Sequence, residues 1–171
     1  MKNNVQKMTA AGLCLALALL LPFLTGQIPQ IGGMLCPMHL PVLLCGFLCG
    51  GPWGLAVGAV APLLRNLLFG MPPLYPVAIS MCFELAAYGA ISGFLYPKLK
   101  KLGIKGIYIS LLSAMILGRI VWAAVRMILM VGGAPFTVAI FLADGFLNAI
   151  PGIIVQLILI PLLVSALEKR K

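Results

Sequence analysis

The sequence predicts an all-α, polytopic membrane protein with six transmembrane helices and both termini in the cytoplasm. Of its 171 residues, 63% are hydrophobic and only 9% are charged, whereas soluble domains carry about 25% charged residues. Apolar runs close to the ~20 residues that span a bilayer recur along the chain. The positive charges collect in short clusters between those runs. These three observations exclude a soluble nucleic-acid binder, which the net charge of +9 would otherwise suggest.

The helices are predicted from the Gly, Pro and Lys clusters that interrupt the apolar runs. The first covers about Lys7 to Leu24, and we interpret it as a retained helix because no small-residue cleavage site follows it. Interior prolines predict kinks at Pro62, Pro151 and Pro161. The other five predicted helices run from His39 to Gly50, Trp53 to Phe69, Tyr75 to Tyr96, Gly106 to Val131 and Phe136 to Leu167.

Orientation follows from the excess of Lys and Arg that cytoplasmic loops carry. Nine of the twelve basic residues fall at positions 2–7, 98–105 and 169–171. With six spans these three places share one side, which we predict to be cytoplasmic. The loops at 25–38, 70–74 and 132–135 have no Lys or Arg and are predicted outside. If helices two and three were a re-entrant pair, four spans would remain with both ends still cytoplasmic.

Five charged residues fall inside the predicted spans, namely Arg65, Arg119, Arg126, Glu84 and Asp144. A charge at the bilayer centre costs about 3 kcal/mol, so each needs a partner or a polar cavity. At about 1.5 Å per residue, all but Arg119 lie towards the outer ends. We therefore expect a water-accessible pocket that opens outward and carries one net positive charge. Internal salt bridges of Glu84 with Arg65 and of Asp144 with Arg126 are the structural alternative.

The candidate substrate-binding residues share this predicted outer position. His39 could instead cap helix two, and Tyr75 could belong to the interfacial aromatic belt. No catalytic set, metal-ligand cluster or nucleotide-binding GxxxxGK[ST] loop occurs, so we expect neither an enzyme nor a cofactor. The candidates are His39, Arg65, Asn66, Tyr75, Glu84, Arg126, Asp144 and Asn148.

Helix one carries small residues four positions apart, Gly12 and Ala16. Small-xxx-small patterns let membrane helices approach closely. We predict a partner-docking face here, with ordinary packing inside the chain as the alternative. The five cysteines are interpreted as small apolar packing residues.

Two segments carry a family resemblance: CPMHLPVLLCG at 36–46 and PLLRNLLFGMPP at 62–73. With the six spans and the helix-one pattern, they resemble the substrate-binding S components of energy-coupling factor (ECF) transporters. The resemblance implies that residues 1–171 form one six-helix substrate-binding domain in the bacterial plasma membrane. It also implies a vitamin captured from outside, and as partners a transmembrane coupling protein (the T protein) and two cytoplasmic ATPases. Gly12 and Ala16 match in kind the surface by which that family docks.

The predicted substrate is a small organic acid, because the pocket is cationic. Pantothenate fits as a small, flexible carboxylate, whereas riboflavin and thiamine call for more stacking surface than 8% aromatic residues offer; biotin and other anions stay open. The alternative function is a self-sufficient secondary carrier or channel for a small organic anion. A lipid-modifying membrane enzyme that uses His39 with Glu84 or Asp144 is a third reading.

Overall fold

The protein is described by a computed structural model that covers residues 4–25, 34–130, 137 and 141–169, without the side chains of Thr25, Asp144, Phe146 and Lys169. Within these residues the chain is helical and no strand occurs, which confirms the all-α part of the predicted fold class. Four short 3₁₀ or π segments accompany the helices, at Leu21–Thr25, Leu74–Ala78, Lys100–Leu102 and Ala143–Leu147. The α-helices of the described residues are α1 (Asn4–Leu20), α2 (His39–Cys49), α3 (Gly51–Phe69), α4 (Ile79–Leu99), α5 (Ile104–Leu129) and α6 (Ile150–Lys169).

Five helical segments of the described residues are long and apolar enough to cross a membrane. The α2 helix is the exception, because its 11 residues reach only about 16 Å against a hydrocarbon core of about 30 Å. A membrane-embedded helical bundle is therefore supported, while six spans and cytoplasmic termini stay predictions. The five candidate spans are Asn4–Leu24, Gly51–Phe69, Leu74–Leu102, Ile104–Leu129 and Ile150–Glu168.

Helix boundaries differ from the predicted ones where prolines occur. The α4 helix begins at Ile79, because Tyr75 has extended backbone angles (φ −112°, ψ 134°) within the π segment. The predicted sixth helix is not continuous, since a π segment precedes α6. Pro151 is the second residue of α6, where a proline sacrifices no helical hydrogen bond, so it starts the helix instead of kinking it. The predicted start of helix six at Phe136 lies outside the described residues.

Glycines bring α3 and α4 into backbone contact. A Cβ atom added to Gly54 of α3 would lie 2.5 Å from the carbonyl oxygen of Gly89 in α4. One added to Gly58 would collide with the backbone of Leu85. Small residues four apart on one helix allow this approach between membrane helices. Since α4 also packs against α2 and α5, its inward side chains lie at the centre of the bundle, and Glu84 is only 1% exposed.

The two ends of the bundle differ in charge. We call the end that carries Lys98, Lys100, Lys101 and Lys105 the basic end. The Lys100 Nζ atom lies 2.7 Å from Glu168 Oε1 near the end of α6, and the Tyr96 hydroxyl of α4 donates to Glu168 Oε2 over 2.7 Å. These contacts place Glu168, near the end of α6, beside the turn between α4 and α5, so the last turn of α6 lies at the basic end.

Candidate functional site

A buried polar cluster lies between α2, α4 and α5. The Arg119 Nη1 atom is 2.8 Å from Glu84 Oε1, and His39 Nε2 is 3.5 Å from the same oxygen. The exposed fractions are 3% for His39, 1% for Glu84 and 8% for Arg119. Ionisable groups this deep in a membrane bundle need partners, and they commonly mark substrate or ion pathways.

The antiparallel arrangement of α4 and α5 explains why Glu84 meets Arg119. Glu84 stands 15 residues before Leu99 at the end of α4, and Arg119 stands 15 residues after Ile104 at the start of α5. At about 1.5 Å per residue, both lie about 22 Å from the basic end. Their equal depth lets the two side chains form an ion pair across the helix interface.

Two further groups surround the pair. The Tyr88 ring, one turn after Glu84 on α4, lies 5.2 Å from the His39 ring between centroids. Gly118 makes room for it, because a Cβ atom there would collide with the Tyr88 ring. The Cys36 sulfur lies 3.8 Å from Arg119 Nη2, and burial raises the pKa of this thiol, so it stays protonated. The cluster is thus enclosed by aromatic and thiol groups.

On α5 a stripe of cations and an aromatic ring continues from the cluster towards the helix end. The guanidinium carbons of Arg119 and Arg126 lie 5.9 Å and 5.5 Å from the Trp122 ring centroid. The spacing of three and four residues puts all three side chains on one helix face. Phe141 stacks on Trp122 at 6.3 Å between centroids. Cations near an indole face are attracted by its quadrupole, so Trp122 holds both arginines.

Several buried atoms of this region have no hydrogen-bond partner among the described residues: both ring nitrogens of His39 and the Nε atoms of Arg119 and Arg126. Arg126 also has no carboxylate partner in that part of the chain. More than about 90% of buried polar groups in proteins are hydrogen-bonded, so each exception needs an explanation. A polar ligand would satisfy several of these atoms together.

Arg65 and Asn66 lie elsewhere, near the end of α3. Arg65 Nη1 donates to the carbonyl oxygen of Leu19 over 2.6 Å, and its guanidinium carbon lies 5.1 Å and 5.5 Å from the Phe23 and Phe69 ring centroids. Asn66 Nδ2 donates to the Pro72 carbonyl over 2.7 Å. Arg65 therefore joins α3 to the end of α1, and the salt bridge of Glu84 is made with Arg119 rather than with Arg65.

The remaining predicted binding residues lie at the helix ends opposite the basic end. The Tyr75 hydroxyl, on a residue that is 60% exposed, donates to the Leu129 carbonyl at the end of α5. Asn148 is exposed, and its backbone N–H donates to the Ala143 carbonyl over 2.8 Å. The Asp144 side chain, and with it the expected pairing to Arg126, lies outside the described residues.

Gly12 and Ala16 lie on the exposed side of α1. Ala11, Cys14 and Ala18 form its buried side. A Cβ atom added to Gly12 would meet nothing within 4 Å. In the described part of the chain, these two small residues thus belong to an uncovered helix face.

Arg119 and Tyr88 belong to the cluster but were not among the sequence candidates. A signal for each exists in the sequence. Arg119 is as far beyond the basic loop as Glu84 is before it, and Tyr88 follows Glu84 at the four-residue spacing of one helix face.

A comparison with family models supplies independent evidence. The model described as "ECF transporter, substrate-specific component" matches residues 6–164. Searches of curated proteins and of solved structures gave no match. The matched range runs from α1 into α6, so it contains the buried cluster and the exposed small residues of α1. Because the match covers nearly the whole of an all-helical, apolar chain, this protein belongs to the family of substrate-specific components of ECF transporters.

Proposed function

We propose that this chain captures a small anionic vitamin from outside the cell and delivers it inward together with an ATP-driven ECF module. Members of the family are substrate-specific membrane subunits that work with a T protein and ATPases. We propose further that the substrate is an anion, that it belongs to the class of pantothenate-like acids, and that the protein lies in the bacterial plasma membrane.

The observation that carries the proposal is the pair of buried arginine Nε atoms beside Trp122, those of Arg119 and Arg126, which have no hydrogen-bond partner among the described residues. Glu84 compensates the charge of Arg119 at 2.8 Å, whereas Arg126 has no carboxylate partner among the described residues. A guanidinium binds a carboxylate through two parallel N–H donors. Arg126 is therefore the proposed anchor for the substrate carboxylate.

The other parts of a pantothenate-like molecule, its hydroxyl and amide groups, suit the neutral and paired groups of the cluster. His39 offers a ring nitrogen, and Glu84 offers an acceptor oxygen beside Arg119. Trp122 and Tyr88 supply limited apolar surface, which fits a flexible aliphatic acid better than a large ring system. The remaining proposed contacts at the helix ends are Arg65, Asn66, Tyr75, Asp144 and Asn148; Arg65 would reach a ligand only after releasing the Leu19 carbonyl.

Docking is proposed through Gly12 and Ala16 on the uncovered face of α1. The chain has no nucleotide-binding loop in its sequence, so ATPases supplied by partners fit this arrangement. Both termini and the basic end are proposed to face the cytoplasm, where excess Lys and Arg residues collect.

The direct test is ligand binding by the purified full-length chain in nanodiscs. Thermal unfolding is followed with pantothenate, biotin, riboflavin and thiamine, each at several concentrations. A ligand that binds only the folded state raises its stability in proportion to RT ln(1 + [L]/Kd), so pantothenate is expected to raise Tm and thiamine, a cation, to leave it unchanged. Stabilisation by thiamine alone would contradict an anionic substrate.

A second experiment separates the proposal from a self-sufficient carrier. Proteoliposomes that contain the chain alone should accumulate no labelled pantothenate, and those that also contain a T protein and ATPases should accumulate it on addition of ATP. Uptake by the chain alone would support the carrier function instead.

A further inference from the structure

An open apolar groove of about 500 Å³ lies between the first turns of α5 and the last turns of α6. The α5 helix contributes Ile104 and Tyr108, and α6 contributes Ile158, Pro161, Leu162, Ser165 and Ala166. It begins at the basic end, whereas the Glu84–Arg119 cluster lies about 22 Å from that end, and none of the cluster residues lines the groove. The groove opens towards the surroundings of the bundle, which for a membrane protein is lipid.

The end of the bundle that holds this groove has an excess of positive charge. Of the three acidic residues in the chain, only Glu168 lies near this end, and it is taken by Lys100 at 2.7 Å. Lys98, Lys101 and Lys105 are exposed, and no carboxylate pairs with them in the described residues. A binding partner at this end is therefore expected to be anionic.

Polarity changes along the groove in a defined order. Lys101 stands three residues before Ile104 and Lys105 directly follows it, so both exposed lysines belong to the end of α5 at which the groove begins. Tyr108 follows one turn, about 6 Å, deeper along α5, and Ser165 lines the facing wall on α6. Beyond them the lining is aliphatic. Ammonium groups, then hydroxyls, then aliphatic side chains match the phosphate, glycerol ester and acyl chain of a phospholipid.

We propose that this groove binds an anionic glycerophospholipid of the bilayer, with one acyl chain in the groove and the phosphate on Lys101 and Lys105. Basic residues beside membrane helices attract anionic headgroups, by about 1 kcal/mol or five-fold in affinity per lysine. A zwitterionic lipid could fill the same apolar space, but its net neutral headgroup would gain little from these charges. A helix of another protein would bury the lysines without supplying a partner unless it were acidic.

The test is native mass spectrometry of the full-length chain in detergent, titrated with phosphatidylglycerol or with phosphatidylcholine of the same acyl chains. The wild-type chain is expected to retain phosphatidylglycerol more strongly. Lys101→Ala with Lys105→Ala should reduce that preference by about five-fold per lysine. The control Lys7→Ala removes one positive charge from α1, outside the groove, and should leave the preference unchanged.

A second variant changes shape and not charge. Ala166→Trp fills the groove and should reduce retention of phosphatidylglycerol while the Tm of the chain stays close to that of the wild type. Equal retention of the two lipids by the wild type, or an equal loss in Lys7→Ala, would overturn the proposal. So would an Ala166→Trp chain that keeps the lipid but no longer co-purifies with a T protein, because the groove would then be a protein-docking site.

Discussion

The Arg119 guanidinium on α5 and the Glu84 carboxylate on α4 approach to 2.8 Å in the interior of the bundle. Their exposed fractions are 8% and 1%, so water screens this pair very little. Burying two charges is costly, and the pair is stable only while both members are present.

Replacement of Glu84 by Gln should strongly destabilise the chain, because Arg119 would remain buried without a countercharge. Loss of one partner of a buried pair costs about 3–5 kcal/mol. The measurement is the free energy of unfolding in mixed micelles. Lys100→Ala, which breaks a pair whose lysine is 60% exposed, is the control and should cost at most about 1 kcal/mol. Equal losses in the free energy of unfolding would show that the interior pair contributes no more to stability than the exposed one.

The double replacement Glu84→Leu with Arg119→Met should recover much of the stability lost in Glu84→Gln. Apolar residues of similar volume often replace a buried ion pair at little cost. Binding of the substrate should nevertheless be lost in this double variant, as read from ligand-dependent Tm. A double variant that folds and still binds the substrate would show that the Glu84–Arg119 pair is not part of the binding site.

Replacement of Arg126 by Ala should weaken binding of the organic acid and leave the folded chain intact. Removal of one member of a buried, hydrogen-bonded charge pair costs about 2 kcal/mol or more, which is about 30-fold in Kd. Titration of the purified chain measures this change. Arg126→Lys keeps the charge without the forked donors, so its Kd should lie between the values of the wild type and of Arg126→Ala.

Arg65→Ala is the matched comparison for Arg126→Ala. It should mainly lower stability, because Arg65 donates to the Leu19 carbonyl over 2.6 Å and packs against two phenylalanine rings. Thermal unfolding without ligand distinguishes the two roles, because Tm should fall in Arg65→Ala and stay close to that of the wild type in Arg126→Ala. An Arg65→Ala chain with unchanged Tm and weakened binding would instead make Arg65 a direct substrate contact.

Replacement of Gly58 by Ala should separate α3 from α4, because the new methyl group would collide with the Leu85 backbone. Overpacking of this kind costs about 1–3 kcal/mol. Gly12→Ala is the control, since nothing lies within 4 Å of its added Cβ. That control should be neutral or stabilising by up to about 1 kcal/mol, because alanine favours helix more than glycine does. Unfolding in mixed micelles measures both.

Ala16→Leu should block association with a T protein and leave the isolated chain folded and able to bind ligand. The residue is exposed on α1, so the larger side chain disturbs only a partner that approaches closely. Ala124→Leu, at an exposed position of α5, is the control. Co-purification of the T protein with each variant is the readout, and equal yields would place docking away from Ala16.

The sequence by itself determined the helical membrane class, because runs of apolar residues that long are compatible with a bilayer and not with a soluble shell. Constant helix rise predicted that Arg119 lies nearer the middle of the membrane than Glu84, but the structure places both residues at about 22 Å from the basic end. The helix starts near prolines were less predictable, because they depend on the local backbone conformation at Tyr75 and Pro151, and hydropathy does not specify that conformation. The candidate residues in the described part stay predictions for binding, although His39 and Glu84 prove to be neighbours.

Only the tertiary structure decided which charges meet. Arg65 lies 4 residues before the end of α3 and Glu84 lies 5 residues after the start of α4, so depth alone would have allowed that pair as well as the pair with Arg119. The rotation of each helix about its axis determines which neighbour its charged side chain contacts. With α3 and α4 joined through their glycines, Arg65 contacts the Leu19 carbonyl of α1 and Glu84 contacts Arg119 of α5. Rotation depends on how all neighbouring surfaces pack at once, and spacing along one chain segment does not specify it.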